Sequence, residues 1–381
     1  MPEKRVKGSV SPTGRRGGNG QERERTPARA DPRSLGARPS PSPGLLSVIG
    51  AINWDVSIFE ERFARAGEEV PVRRVEEFSG GKAANVAVAA ARLLGRGRVA
   101  CLGALGDDEV GEAQLAELEA EGVVVDGIVE VAGCRSGKAY ILIDADGRKT
   151  IHTLFGANAR MAPGHIGRGG CAAVISRTGT MVVMDPPTPV ALAAARASKR
   201  NGARLIYSPG VRTQEGVEAL EPIMRITDVL VVDRIELMNL GAAGDERAVM
   251  AALCDGHPGM TVVATLGPAG CAVASSGSVS SVAGVEASTL GGEVKNTTGC
   301  GDAFLGVLAG RIVLGDTPLR SAAWANMAGA LKALRVETRG SPTGRELEAA
   351  FRSAAARSGA LGTADGASRP RARRAPSRGR Q

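Results

Sequence analysis

The chain has 381 residues, of which 43% are hydrophobic and 23% charged, and its formal net charge is +8. This composition suits a globular core of ordinary size, and roughly 300 residues is the usual upper range for one domain. Neither a run of about 18 uncharged apolar residues nor an apolar signal segment within residues 1–44 is present, so we expect a cytoplasmic protein without a membrane partner.

The positive charge is concentrated at the two ends of the chain. Residues 1–44 carry ten Lys and Arg against four acids, and residues 359–381 carry six Arg against one acid, which leaves residues 45–358 at −3. Both ends are rich in Pro, Gly, Ser and Arg without an apolar period, so we predict two disordered basic tails. With only 3% aromatic residues in the chain, we expect no nucleic-acid partner beyond weak contact through the tails.

Between the tails, apolar runs alternate with helix-like stretches. The runs that are typical of buried strands are 45–53, 98–106, 180–185, 203–208, 228–233 and 260–267. The stretches with helical patterns are 84–94, 109–123, 189–202 and 245–256. Continuous apolar strands separated by helices predict an α/β fold with a mostly parallel sheet that is covered on both faces. Ligands of such folds lie at the carboxyl ends of the strands.

Two segments show a different pattern. Residues 68–78 and 137–155 alternate apolar and polar side chains, and the second contains the turn-forming pair Asp146-Gly147. They predict a small, half-exposed sheet that projects from the main one.

The stretch NTTGCGDAFLGVLAG, residues 296–310, combines a glycine turn with a single acid at the start of a helix. Gly299 and Gly301 permit unusual backbone torsions, so the amides of residues 299–301 can converge on an anion at the positive end of the helix. A carboxylate beside a bound phosphate is unfavourable because the two negative charges repel each other. We therefore expect Asp302 to have a chemical role, namely the deprotonation of a hydroxyl that attacks a γ-phosphoryl group. The P-loop pattern GxxxxGK[ST] is absent from the sequence.

A second group of polar residues points to a ligand rich in hydroxyls. Two glycines precede the helix of residues 80–95, and Asn85 lies in its first turn. Asn53 and Asp55, which we place at the end of the first strand, are two positions apart and therefore share one side of the chain. For either motif alone, capping and turn formation by Asn and Asp is an equally good explanation.

The stretches at residues 80–95 and 296–310 resemble the two signatures of the ribokinase-like (PfkB) carbohydrate kinases, in the same order and spacing. Residues 155–163, 233–236, 265–270 and 339–343 also resemble segments of that family. The resemblance implies a three-layer α/β/α sandwich over 45–358, with a small β lid at about 56–78 and 134–154. It also implies transfer of the γ-phosphoryl group of ATP, with Mg²⁺, to a sugar or nucleoside hydroxyl, and a homodimer through the lid.

The resemblance carries over to individual positions. Asp302 matches the catalytic base, and the positions that match the anion hole are Gly299, Cys300 and Gly301. The positions that match contacts to the sugar are Asn53, Asp55, Gly81, Lys82, Asn85 and Asp185. The positions that match the nucleotide side are Thr265, Gly267, Gly270 and Asn326. Glu236, with Asp233 three residues before it, matches the element that bears on the arrangement of Mg²⁺ and phosphate.

Three positions depart from the family pattern. Asp233 stands where the family has Asn, and Cys300 replaces the usual Ala, a change that packing alone explains. Asn296 stands where many members have an Asp, which in ribokinase helps to hold a monovalent cation near the anion hole, so K⁺ activation stays open. A neutral amide at 296 also repels an anionic substrate less than a carboxylate does, by up to roughly 4 kcal/mol at ~4 Å and an effective dielectric constant of about 20.

The sequence therefore predicts an ATP-dependent kinase of ribose or a related sugar. A kinase of a phosphorylated sugar, such as ribose 1-phosphate, or of a nucleoside stays open, and Lys82 and Asn296 as substrate contacts favour the phosphorylated sugar. A nonenzymatic sensor of nucleotides or sugars is a further alternative, which the intact Asp302 and glycine turn argue against.

Overall fold

The structure of the protein is a computed structural model that describes residues 44–241 and 244–358. The predicted basic tails, 1–44 and 359–381, lie outside the described residues except for Gly44. The strands are β1 (Leu45–Ile49), β2 (Asn53–Glu60), β3 (Val72–Gly80), β4 (Val99–Gly106), β5 (Val124–Val131), β6 (Gly137–Ile143), β7 (Lys149–Leu154), β8 (Thr178–Val183), β9 (Arg204–Tyr207), β10 (Val229–Asp233), β11 (Thr261–Thr265), β12 (Gly270–Ser275) and β13 (Ser278–Ala283). The helices are α1 (Lys82–Leu94), α2 (Glu109–Ala120), α3 (Pro163–Ile166), α4 (Gly169–Ser176), α5 (Thr188–Arg200), α6 (Val217–Met224), α7 (Arg234–Leu240), α8 (Glu246–Gly256), α9 (Cys300–Val313), α10 (Pro318–Ala333) and α11 (Gly344–Ser358). Within the described ranges, no helix combines the length and apolar character that crossing a membrane requires.

Nine strands form the main sheet, in the order β13-β12-β11-β10-β9-β8-β1-β4-β5. All neighbouring pairs are parallel except β11 with β12 and β12 with β13. Its central strands are apolar on both faces, and every residue of β4 is buried. The predicted mostly parallel sheet is therefore confirmed, with an antiparallel extension at one edge.

Helices cover the two faces of this sheet. One face packs on α1, α2, α9, α10 and α11, and the opposite face packs on α3 to α8. Successive residues of β8 serve opposite faces, because Val182 belongs to the first core and Met181 and Val183 to the second. The predicted three-layer α/β/α sandwich is confirmed.

Helices α1 and α9 lie in close contact because small residues face each other. A Cβ atom on Gly306 of α9 would lie 2.5 Å from Cβ of Ala89 and 2.6 Å from the backbone oxygen of Val86, both on α1. Only glycine permits this approach. The contact brings the two helices of the signature motifs side by side.

Four strands form a second, smaller sheet in the order β3-β2-β6-β7, which we call the lid. Strands β6 and β7 form a hairpin whose turn contains Gly147 at φ 76°. The interpretation that Asn53 and Asp55 end the first strand is wrong. Strand β1 ends at Ile49, and both residues open β2, because its backbone pairs with β3 and β6 rather than with the main sheet.

Candidate active site

The predicted site residues converge on the carboxyl edge of the main sheet. Asp185 lies two residues after the end of β8, and Asp233 and Thr265 are the last residues of the paired strands β10 and β11. Helix α1 begins beside the exit of β1, where the amide of Ala83 donates to the backbone oxygen of Ala51 (3.2 Å). This edge is where parallel α/β sheets bind ligands.

Asp302 and Asn85 form the centre of the site. Nδ2 of Asn85 donates a hydrogen bond of 2.8 Å to Oδ2 of Asp302. Burial raises the pKa of Asp302, while the bond from Asn85 and the nearby charge of Lys82 act to lower it. A partly desolvated carboxylate with one fixed oxygen is suited to accept a proton from a bound hydroxyl.

Arg339 orients Asn85, a role that the sequence interpretation missed. Its Nε donates to Oδ1 of Asn85 (3.3 Å), and its Nη2 donates to the backbone oxygen of Gly80 and to Oε1 of Gln114, both at 2.8 Å. Because the guanidinium occupies the amide oxygen of Asn85, the amide nitrogen is turned towards Asp302. The motif RGSPT, residues 339–343, was the available signal, but it did not reveal this contact.

The turn before α9 is the place where the sequence predicts an anion hole. Gly299 adopts φ 84°, and a Cβ atom there would lie 2.2 Å from the backbone oxygen of Thr338. The first helical hydrogen bond runs from the amide of Ala303 to Gly299, so the amides of Gly301 and Asp302 precede the hydrogen-bonded ladder of the helix. Gly301 is exposed, with open space where a side chain would be, so an anion can approach the helix end closely.

Cys300 contributes its backbone to this turn, and its amide donates to the backbone oxygen of Thr297 (3.3 Å). Its thiol lies 3.9 Å from the backbone oxygen of Asn296. Burial raises the pKa of Cys300, so the thiol stays neutral at physiological pH. This agrees with a packing role for the side chain.

The lid contacts the same turn through Lys149. Its Nζ donates to Oγ1 of Thr298 at 3.1 Å. Lys149 begins β7 and is far from the signature motifs in the sequence, which carries no local signal for this contact. The contact places a lid cation one residue before Gly299.

Asp55 is a buried carboxyl group that packs against glycine. A Cβ atom on Gly80 would lie 2.2 Å from Cγ of Asp55, so a larger residue at 80 would displace the carboxyl group. Only 5% of Asp55 is exposed. Burial and the negative charge of Asp302 raise the pKa of Asp55 to about 7.

Asn158 holds Asn53 in place beside Asp55. Nδ2 of Asn158 donates to Oδ1 of Asn53 (2.9 Å), and Oδ1 of Asn158 accepts from the amide of Ile52 (3.0 Å). Gly81 adopts φ 87°, and a Cβ atom there would lie 2.3 Å from the amide nitrogen of Asn53. Glycine at 81 therefore allows β2 and the start of α1 to approach each other.

Lys82 and Asp185 form an ion pair, with Nζ 3.4 Å from Oδ2. Burial lowers the pKa of Lys82, but the carboxylates of Asp185, Asp302 and Glu236 outweigh burial and raise it. Within the described chain, Oδ1 of Asp185 is buried and has no hydrogen-bond partner. This oxygen is therefore ready to accept a hydrogen bond from a ligand hydroxyl.

A cavity of about 230 Å³ lies beside Asp185. Its lining includes the apolar residues Phe155, Met161 and Pro186 and the charged residue Arg212. The cavity adjoins the carboxyl edge of the sheet through Asp185.

The four residues predicted for the nucleotide side lie around β11, β12 and β13. Gly270 adopts φ 100°, and a Cβ atom there would lie 2.2 Å from the backbone oxygen of Val282. Nδ2 of Asn326 donates to the backbone oxygens of Val282 (3.3 Å) and Ala283 (3.2 Å). Asn326 thus fixes the end of the edge strand, next to the loop that contains Thr265, Gly267 and Gly270.

Asp233 and Glu236 cap the start of α7 reciprocally. The amide of Glu236 donates to Oδ1 of Asp233 (2.8 Å), and the amide of Asp233 donates to Oε2 of Glu236 (3.0 Å). Among the described residues, no group of three or more His, Cys, Asp and Glu is arranged to hold a metal ion. Each of these two carboxylates uses only one oxygen in the capping box, so its second oxygen is available to a ligand. Mg²⁺ in proteins is usually bound by one or two carboxylates together with phosphates of the substrate. The donor set therefore fits the predicted ion.

Asn296 is engaged with the backbone of its own and a neighbouring loop. Its Nδ2 donates to the backbone oxygen of Val336 (2.7 Å), and its Oδ1 accepts from the amide of Thr298 (2.9 Å). Both polar groups of the amide are therefore used to shape the turn, and this geometry lends no support to the predicted contact with substrate.

A family model described as pfkB family carbohydrate kinase matches residues 44–344. The chain belongs to the pfkB family of carbohydrate kinases. The predicted family and the predicted class of enzyme, an ATP-dependent carbohydrate kinase, are confirmed.

Similar proteins illustrate the range of the family. An ATP-dependent ribose-1-phosphate kinase of Halopiger xanaduensis is 30% identical over 304 residues, which cover 77% of this chain and 93% of that protein. A bifunctional ribokinase/ribose-5-phosphate isomerase A of Fructilactobacillus sanfranciscensis is 27% identical over 72% of this chain, and the match spans half of that protein's length. The structure of Arabidopsis thaliana ribokinase complexed with ribose and ATP is similar with a TM-score of 0.69 and 22% identity, covering 81% of this chain and 99% of that one. At this level of identity, the structural likeness supports the fold alone.

Proposed function

We propose that this pfkB-family kinase transfers the γ-phosphoryl group of ATP to a hydroxyl of ribose or a related sugar, with Asp302 as general base. The observation that carries the proposal is the bond of 2.8 Å from Asn85 to Asp302 at the start of α9, one residue after the open Gly301. A base and a cluster of unpaired amides at one helix end are the two elements that attack on a phosphoryl group needs.

The sugar would bind between the lid and the carboxyl edge of the main sheet. Asn53, Asp55 and Asp185 offer oxygens to its hydroxyl groups, and the unpartnered Oδ1 of Asp185 is the clearest acceptor among them. A hydroxyl seated on Asp302 would lose its proton to the free carboxylate oxygen as its own oxygen bonds to the γ-phosphorus of ATP. The bond from that phosphorus to the bridging oxygen then breaks and ADP leaves. Asn85 keeps the other oxygen in place throughout this step.

Negative charge on the transferring phosphoryl group would be met by the amides at the start of α9. Lys82 lies near enough to Asp302 to affect its pKa and adds a positive charge on the sugar side. Asp233 and Glu236 would hold Mg²⁺, which when bound neutralises charge on the nucleotide phosphates. The loop of Thr265, Gly267 and Gly270, with Asn326, would support the nucleotide.

Two other substrates have specific support. A phosphorylated sugar, such as ribose 1-phosphate, is favoured by Lys82 and Arg212 near Asp185 and by the relative from Halopiger xanaduensis. A nucleoside is favoured by the cavity of about 230 Å³, whose lining includes the apolar side chains of Phe155 and Met161.

A homodimer through the lid would bury apolar side chains that this sheet exposes. Five large apolar residues on the strands of the lid are exposed: Val72, Val75, Tyr140, Ile151 and Leu154. Light scattering on the full-length protein tests this assembly. A monomer at micromolar concentration would contradict it.

The substrate is tested by measuring ADP release with the full-length protein and ATP over a panel of ribose, fructose, ribose 1-phosphate and nucleosides. Ribose should give the highest kcat/KM. Asp302→Asn is the control, because it removes the base and should silence any genuine kinase reaction. A preference of about tenfold or more for ribose 1-phosphate or for a nucleoside would replace ribose by that alternative.

A further inference from the structure

A buried lysine lies directly behind the anion-hole turn and has no role in the reaction described above. Lys332 is in the last turn of α10 and is 0% exposed. Lysine is almost never fully buried unless its charge is paired or bonded. Its position therefore requires an explanation.

The ammonium group of Lys332 binds backbone carbonyl groups. Nζ donates to the backbone oxygen of Asn296 at 3.0 Å and to that of Arg335 at 3.4 Å. A Cβ atom on Gly299 would lie 3.3 Å from Cε of Lys332, so the stem of the lysine packs beneath the anion-hole turn. The side chain thus links residues 296–299 to the segment that follows α10.

Other bonds join the same two segments. The amides of Lys295 and Asn296 donate to the backbone oxygen of Ala333 (2.8 and 3.2 Å), and Nδ2 of Asn296 donates to that of Val336 (2.7 Å). Burial lowers the pKa of Lys332, while the charges of Glu337 and Asp302 counter this effect. Lys332 is the positive charge within this network of carbonyl groups.

This arrangement does not fit a monovalent cation near residue 296, where ribokinase holds one with the help of an Asp. The carboxylate that would help to hold it is replaced by Asn296, whose amide is already bonded to Val336 and Thr298. The ammonium group of Lys332 already takes the backbone oxygen of Asn296. A second cation beside it would be repelled by a like charge.

We propose that Lys332 is an internal cation that positions the anion-hole turn and replaces the monovalent cation at this place. An ammonium group and K⁺ carry the same charge and both bind carbonyl oxygens. The side chain therefore supplies permanently what an ion would supply by binding. The proposal rests on the proposed function for the role of the turn, whereas the binding of an ion at this place can be measured without any reaction.

The first test uses the full-length wild-type protein in KCl, NH₄Cl or choline chloride at one ionic strength. ADP release, measured by chromatography so that no cation-dependent coupling enzyme is needed, should differ by less than about twofold among the salts. The Tm should also be the same in each. Activation by K⁺ of about tenfold or more over choline would overturn the proposal.

The second test uses a matched pair of variants. Lys332→Ala leaves the carbonyl groups facing a cavity, whereas Lys332→Met fills that space with an uncharged stem. Both should lower kcat by about a hundredfold in choline chloride, since the anion-hole turn loses its position, with a smaller change in KM for the sugar. In the Ala variant only, KCl or NH₄Cl should raise kcat by about tenfold over its value in choline chloride and should also raise the Tm. Lys295→Met, at an exposed position of the same segment, is the control and should behave as wild type.

The outcomes separate the two proposals. Wild-type kcat in both Lys332 variants, or a loss in the Ala variant that no small cation reverses, would show that Lys332 only fills the core. If no sugar on the panel is phosphorylated, the proposed function fails, and the effect of KCl on the Tm of the Ala variant still decides the role of Lys332. If neither variant folds, the cation response of the wild-type protein decides it.

Discussion

Replacing Asp55 by Asn should make the protein more stable at neutral pH and impair its use of sugar. Asp55 is 5% exposed, packs against Gly80, and lies close enough to Asp302 for the two negative charges to interact. Asn has nearly the same shape and no charge. The substitution therefore removes an unfavourable buried charge without opening a cavity.

The magnitude follows from the pKa of Asp55. Burial and the charge of Asp302 raise this pKa from 3.8 to about 7. One unit of difference between folded and unfolded chain corresponds to about 1.4 kcal/mol, so the ionised carboxylate lowers the free energy of unfolding by on the order of 4 kcal/mol. Below pH 3.8 both states are protonated and the penalty is absent. It grows as the pH rises to about 7, because the folded protein holds a proton that the unfolded chain has released, and it is constant above that pH.

Urea unfolding at pH 5 and pH 8 provides the assay. The free energy of unfolding of Asp55→Asn should exceed that of wild type by on the order of 4 kcal/mol at pH 8 and by roughly 2 kcal/mol at pH 5. Asp146→Asn, in an exposed loop, is the control and should change stability by less than about 0.5 kcal/mol at either pH. In kinetic assays, Asp55→Asn should raise KM for the sugar, since the amide nitrogen cannot accept a hydrogen bond from a hydroxyl.

The same stability difference at both pH values would refute the assignment of a raised pKa to Asp55. A less stable Asp55→Asn protein at pH 8 would show that the favourable effect of nearby Arg339 and Thr338 on the carboxylate outweighs the cost of its burial.

Three further substitutions test other parts of the site. Asp302→Asn should lower kcat by about 10²–10⁴-fold while nucleotide binding is retained, and near-wild-type kcat would exclude Asp302 as the base. Asn296→Asp should lower the Tm, because a carboxylate oxygen would face the backbone oxygen of Val336 where Nδ2 now donates at 2.7 Å; an unchanged Tm would contradict this account of the turn. Lys149→Met should lower kcat/KM and leave the Tm within a few degrees, since the residue bonds to Thr298 from the lid; unchanged kinetics would show that this contact has no part in the reaction.

Much of the fold and some of the site follow from local sequence patterns. Continuous apolar strands and intervening helices predicted the parallel sheet, and the glycine turn before Asp302 predicted a helix start with unpaired amides. These features depend on torsion angles and side-chain periodicity within a few residues. Asn53 and Asp55 show the limit of that reasoning, because the choice between the main sheet and the lid depends on which distant strands pair with β2.

The sequence by itself indicated the alternation of strands and helices, which residues are apolar, and which family motifs are present. Only the tertiary structure decided which charged groups share a buried space. Arg339 orients Asn85 from 254 positions away, and burial together with the charge of Asp302 on α9 raises the pKa of Asp55 in the lid. Lys332 is an unremarkable helical lysine in the sequence, and its burial among backbone carbonyls arises when α10 packs behind the turn that contains Gly299. Electrostatic effects depend on distance and on exclusion of water, and packing sets both of them.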